Sequence, residues 1–312
     1  MTITEAPATA STRVRAGVAE RPVLIAAIGA LCISSSGVLV QLAAMGAATT
    51  AFFRCALAVP FLVALAVRER RRIGPQPWRA RAVAALAGVF FSVDLILWTH
   101  AIDEVGAGIA TVLGNLQVVF VALAGWSLFG ERPSRRFGLA LPVVFGGVVL
   151  VSGLAGRPHF GGDPVAGIVY GLGTSLAYAA FLLVLRSSAR SDHVAGPLLD
   201  ATASAAVFSL LAGGLVGTLT LTPPWRSFGW LLLLAVTSQT IGWMFITSSL
   251  PRLPRAFSSL LLLLQPVAAL GLAAVALGQV PTVLQVTGAV LILAGVVAVA
   301  RRPTAAAHAP AG

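Results

Sequence analysis

The sequence predicts an all-α polytopic membrane protein: ten transmembrane helices in two inverted five-helix repeats, with both termini cytoplasmic. Three observations predict it. The 312 residues are 58% hydrophobic and only 10% charged, whereas soluble domains carry about a quarter charged residues. Apolar runs of about 20 residues, the length that crosses a hydrocarbon core, recur between arginine clusters, prolines and glycines. Features of the first half also return in the second at an offset of 148 residues.

The spans read as 23–44, 48–67, 82–102, 106–129, 137–154, 164–185, 196–219, 228–249, 256–277 and 283–300. The first follows Arg13, Arg15 and Arg21. AAMGA (43–47) resembles a signal-peptide cleavage site, but the run from Val23 to Ala44 is too long for an ordinary signal core, so this helix is retained. The second and third flank an arginine-rich turn. The fourth opens after Asp103-Glu104 and closes at the ERPSRR loop, which leads into the fifth. The sixth follows a Gly- and Pro-containing linker, and Arg186 and Arg190 separate it from the seventh. The eighth and ninth flank Arg252 and Arg255, and the tenth stops at Arg301-Arg302. The resulting organisation is a cytoplasmic tail (1–22), a first repeat (23–154), an extracytoplasmic linker (155–163), a second repeat (164–302) and a cytoplasmic tail (303–312).

All 21 basic residues are arginine, a composition expected of a GC-rich bacterial genome and a multi-pass protein of the inner (cytoplasmic) membrane. Eighteen of them fall on one side when the N-terminus is placed inside, as the positive-inside rule requires. Only Arg157 and Arg226 lie outside, and Arg54 is within a span. The net charge of +11 therefore reports topology and does not imply a nucleic-acid partner. Cys32 and Cys55 sit in apolar runs and carry neither a disulfide framework nor metal spacing.

The repeat rests on several matches. Leu116-Gln117 corresponds to Leu264-Gln265, Gly130-x-x-Pro133 to Gly278-x-x-Pro281, and Gly147-Val148-Val149 to Gly295-Val296-Val297. Five spans per repeat is an odd number, so the second copy must be inverted in the membrane. The charges agree: ERPSRR becomes QVPTVL, uncharged and outside. Inverted repeats with a site between them are an architecture of alternating access.

The stretch VDLILWTHAI…GIATVLGNLQVVFVALAGWSLFGERP resembles the EamA-type branch of the drug/metabolite transporter superfamily, as does the chain from about residue 23 to 300. Arg54 matches an arginine common in the second helix of that family, and Glu131 a glutamate closing the fourth. Val118 and Gln279 depart from it, standing where proline and the second glutamate are often found, while Pro266 is kept. The resemblance implies export or exchange of small metabolites and gives a class of protein rather than a ligand.

The polar groups inside the spans are the candidate site. Asp94 lies in GVFFSVDLILWTHAI (88–102), where a charge at mid-helix costs roughly 2.5–3.5 kcal/mol. A lone carboxylate there would take up a proton, so a partner is expected. At 1.5 Å per residue Asp94 is about 12 Å and Arg54 about 9 Å below the outer boundary, which predicts a buried Arg54–Asp94 pair. That pair either braces two helices or borders a cavity, with arginine facing a substrate carboxylate and Asp94 a substrate amine or a coupled proton. Their counterparts in the second repeat are Thr202 and Gly242, so the ionisable chemistry is concentrated in the first half. Trp98, Asn115, Gln117, Ser35, Tyr178 and Gln265 complete the predicted substrate-binding set, with Gln239 and Trp243 behind them. Asp200 and His100 are expected near the interfaces. Ser34, Ser35 and Ser36 cannot share one helix face.

The reading is a secondary transporter, not an enzyme, that exports an amino acid-like or amphiphilic metabolite by alternating access with proton coupling. An importer or exchanger of the same fold is the near alternative. An intramembrane enzyme would want clustered carboxylates or histidines, and a membrane scaffold would need no charge pair. No nucleotide-binding motif is present, so no ATPase subunit, cofactor or metal is implied; the partners are a small-molecule substrate and the lipid bilayer.

Overall fold

The computed structural model describes residues 22–129, 135–152, 162–188, 193–249 and 255–300, which form ten helical rods and, among the described residues, no strand. They are α1 (Pro22–Ser34 continued by Ser36–Ala43), α2 (Ala47–Ile73), α3 (Trp78–Val105), α4 (Ala107–Gly114 continued by Gln117–Phe129), α5 (Arg135–Ser152), α6 (Pro164–Ser188), α7 (Ala195–Val216), α8 (Trp225–Leu234, Ala235–Gly242 and Trp243–Ser249), α9 (Arg255–Leu277) and α10 (Val283–Ala300). Seven are long and apolar enough to cross a membrane. The apolar parts of α5, α9 and α10 within the described residues are shorter: Gly138–Val151, Leu264–Leu277 and Val283–Val297. Phe145, Val169 and Val290 are more than half exposed, an outward apolar surface suited to lipid and not to water.

Two helices run past the predicted apolar limits. α2 continues through Arg70–Arg72 to Ile73, because arginine is a good helix former and the chain needs no lipid to stay helical. Gly74 ends it at φ +89°, followed by Pro75. α3 begins at Trp78 and ends at Gly106, again at positive φ, a conformation open to glycine at little steric cost.

The packing interlocks the two halves. α2 packs on α7, α4 on α9 and α5 on α10; α3 contacts α6 and α7 while α8 contacts α1 and α2; α4 contacts α6 while α9 contacts α1. Shifting every helix number by five maps this set onto itself. The two five-helix units therefore share one core and do not stand side by side.

Small residues permit the close approaches. At the α5–α10 crossing Gly147 faces Gly288, and a Cβ on Gly288 would lie 2.6 Å from the Gly147 carbonyl oxygen and 2.5 Å from the Val151 nitrogen. Gly146, one residue away, has open space at the same position. Gly288→Val is expected to cost about 2 kcal/mol by overpacking, whereas Gly146→Val leaves thermal unfolding in detergent almost unchanged.

Three rods are irregular at mid-depth. α1 turns at Ser35, where Ser34, Ser35 and Ser36 donate back to the carbonyls of Ala30, Cys32 and Ile33. α4 narrows to i−3 bonding at Asn115 and Leu116, and the Asn115 side-chain amide takes the Thr111 carbonyl. α8 widens into a π-helix over Ala235–Gly242. Non-helical backbone at membrane depth is tolerated where it lines a cavity or is buried in protein, and these breaks surround one cavity.

Candidate functional site

The cavity has a volume of about 80 Å³ and takes walls from α1, α2, α3, α4, α6, α8 and α9. Seven predicted site residues line it: Arg54, Asp94, Trp98, Asn115, Gln117, Tyr178 and Gln265. Ser35 does not. Its neighbour Ser36 lines the wall instead, because the 100° step between successive helical residues turns position 35 away.

Arg54 is 5% exposed. Its Nε donates to Gln239 Oε1 at 3.0 Å, and Gln239 Nε2 donates to Thr202 Oγ1 at 3.1 Å. Thr202 is the repeat counterpart of Arg54, so the two halves meet at one buried amide. The guanidinium carbon lies 5.9 Å from the ring centroids of both Phe91 and Trp98, near enough for cation–π attraction. Asp94, 8% exposed, accepts a hydrogen bond at Oδ1 from Thr174 Oγ1 at 2.7 Å, and the same hydroxyl is 2.8 Å from the Asp94 carbonyl.

The predicted Arg54–Asp94 ion pair is therefore corrected. The two share the cavity, but Arg81–Asp200, with nitrogen and oxygen 3.0 Å apart, is the one ion pair within 4.0 Å among the described residues. Neutral partners on other helices, the Gln239 amide and the Thr174 hydroxyl, hold the charged groups apart. Arg54 and Asp94 lie on neighbouring helices and line the same cavity; the direction in which each side chain is held is set by its partners on α8 and α6. Thr174 carries no signal in the sequence beyond its place beside Ser175. Gln239 was found only as an amide in an apolar run.

Two polar atoms on the cavity wall are buried without a hydrogen-bond partner, the Trp243 Nε1 donor and the Gln117 Oε1 acceptor. Buried polar groups are nearly always satisfied, so these mark places where a ligand atom or water would bond. Phe91, Tyr178, Phe181 and Trp243 form a continuous aromatic cluster on the same side, with centroid separations of 4.6–6.1 Å. The wall thus offers a guanidinium, a carboxyl group, a donor, an acceptor and an aromatic face.

The remaining candidates sit elsewhere. Asp200 pairs with Arg81, whose side chain is 59% exposed. His100 stacks on Tyr170 at 5.1 Å. Gln279 accepts from the Ala107 nitrogen at 3.1 Å and donates to Gln41 at 2.7 Å, tying the start of α4 to α1. Glu131 lies outside the described residues. Among the described residues, no group of three His, Cys, Asp or Glu is placed to hold a metal ion.

The EamA-like transporter family matches residues 21–153 and again residues 165–301. The chain belongs to the EamA-like transporter family. The double match assigns one family unit to each half of this EamA-like protein, in register with the exchange symmetry of the packing. A solved crystal structure, described only as that of a protein, is 17% identical, covers 89% of this chain and 95% of its own, and has a TM-score of 0.63. That likeness is one of fold. No curated protein matches the chain. As an EamA-like protein the chain is a membrane transporter of small solutes, and the polar cavity between its two units is the candidate binding site.

The Gln239 amide offers a direct check of this geometry. Gln239→Leu leaves the buried guanidinium without its bond, and hydrogen bonds to charged groups contribute about 1.5–3 kcal/mol. A loss of about 2 kcal/mol is expected in thermal unfolding. Gln239→Glu, which keeps an acceptor, is expected to retain most of the stability.

Proposed function

We propose that this EamA-like protein exports an amino acid-like metabolite from a bacterial cytoplasm by alternating access, in exchange for protons. Ten membrane spans, inverted between the repeats and with both termini inside, are the topology on which this reading rests. The carrying observation is that Arg54 and Asp94 face one cavity while bonded to neutral partners. A zwitterion can set its carboxylate against Arg54 and its amine against Asp94 without first breaking an internal ion pair. Asp94 is also the group that would carry the exchanged proton, since Arg54 does not deprotonate in proteins.

The cavity supports a contracted state. Small-molecule sites commonly enclose about 300–1,000 Å³, well above the 80 Å³ here. Both ends are tied. Gln279 joins α4 and α1 at one end. At the other, Glu69 of α2 accepts from the backbone nitrogens of Val194, Ala195 and Gly196 at 2.8–2.9 Å, and Arg81 holds Asp200. Releasing one end while the other stays tied would enlarge the cavity toward one side at a time. An enzyme reading finds less support, because among the described residues Asp94 is the single carboxylate on the cavity wall.

The test is reconstitution into vesicles with a panel of amino acids and related amines under an imposed pH gradient. At least one compound bearing both an amine and a carboxylate should accumulate, its analogues lacking either group should not, and reversing the gradient should reverse the flux. Absence of gradient-dependent flux across the panel would reject the proposal, and analogue transport equal to the parent's would reject the assignment of Arg54 and Asp94.

A further inference from the structure

A second cavity, of about 310 Å³, lies away from the transport site between α2, the α2–α3 turn and the start of α7. Its volume is at the lower end of the range for small-molecule sites. Val63, Val67 and Arg70 are on one face of α2, four and three residues apart, so the wall passes from apolar to cationic over about 10 Å. Val63 and Val67 are 41% and 43% exposed, as expected of side chains open to lipid, and Trp78 at the same mouth is 72% exposed. Tryptophan is enriched at headgroup level.

The wall carries Arg70, Arg81, Glu69 and Asp200, together with His193 at 3.1 Å from the Gly74 carbonyl oxygen, and both carboxylates already have partners. Glu69 is taken up by three backbone N–H groups of α7, and Asp200 by Arg81. The Arg70 guanidinium has neither a hydrogen bond nor an ion pair to the described residues, and Arg68, Arg71 and Arg72 at the end of α2 and Arg79 at the start of α3 are exposed nearby in the sequence. Gln76 also lines the cavity, with both atoms of its amide buried and unpartnered. Gly196 leaves it room, since a Cβ there would lie 2.8 Å from Gln76 Oε1.

We propose that this cavity binds an anionic phospholipid of the adjoining leaflet, one whose headgroup carries hydroxyls. An acyl chain lies along Val63 and Val67, the phosphate meets Arg70, and the headgroup hydroxyls bond the Gln76 amide, which offers both a donor and an acceptor. Seated there, the lipid bridges the α2–α3 turn to the start of α7, beside the Glu69 cap.

The experiment is lipid retention by native mass spectrometry, with thermal unfolding of the full chain in detergent. Phosphatidylglycerol, phosphatidylcholine and water-soluble glycerol phosphate are added separately. Wild type should retain phosphatidylglycerol and be stabilised by it, and by neither of the others. Arg70→Gln and Gln76→Leu should each lower phosphatidylglycerol affinity roughly fivefold or more, in line with the contribution of one arginine near an anionic surface. Arg71→Gln, which removes the same charge outside the cavity, should leave it near wild type. Equal stabilisation by phosphatidylcholine, equal losses in Arg71→Gln, or unchanged affinity in both cavity variants would overturn the site, and stabilisation by glycerol phosphate alone would make it a free-anion site. The readout needs no transport, so its failure leaves the transport proposal standing.

Discussion

Arg54→Lys is expected to lower transport on the order of a hundredfold while the protein still folds. Lysine keeps the charge but loses the planar fork. It cannot hold the Gln239 carbonyl through one nitrogen and present two others to a substrate carboxylate in the same plane. Removing one partner of a buried charged contact commonly costs 2–5 kcal/mol; about 3 kcal/mol corresponds to the expected loss. The check is initial uptake rate against substrate concentration in vesicles, with thermal unfolding run in parallel. An unfolded variant would assign Arg54 to the brace between α2 and α8. A folded variant with wild-type kinetics would remove Arg54 from the binding site.

Asp94→Asn separates coupling from binding. A one-unit pH gradient stores about 1.4 kcal/mol per proton, enough for roughly tenfold accumulation at one proton per substrate. Asparagine retains an oxygen for the Thr174 hydroxyl, so the contact between α3 and α6 survives. It has no proton to give or take in this range. Gradient-driven accumulation should fall from about tenfold to none, while substrate exchange at equal pH on both sides continues. Accumulation that survives with its wild-type pH dependence would show that the coupled proton is carried elsewhere and that Asp94 serves the fold.

The candidate site was legible in the sequence to the extent that polarity at membrane depth is informative. Asp94, Arg54, Asn115, Gln117 and Gln265 stand out because lipid gives a polar group no partner, so each had to face the bundle interior. Aromatic residues carry no such signal. Phe91 reads as one more lipid-compatible side chain, and only the structure places it on the cavity wall, with its ring centroid 5.9 Å from the Arg54 guanidinium. Ser35 and Ser36 show the finer limit. Both are hydroxyls at adjacent positions, and the roughly 100° step between them decides which reaches the wall.

Taken alone, the sequence determined the helical class, the positions of the apolar spans within a few residues, the repeat, and a short set of polar residues that had to meet inside. Hydropathy, arginine bias and a fixed offset are properties of the chain's order and survive without coordinates. The tertiary structure decided the partners. Arg54 bonds Gln239, 185 positions away, and Asp94 bonds Thr174, 80 positions away, because the two units interlock and bring α8 and α6 against α2 and α3. Side-chain contacts depend on which faces the packed helices turn to one another. Which faces meet is a property of the packed bundle, and no single segment encodes it.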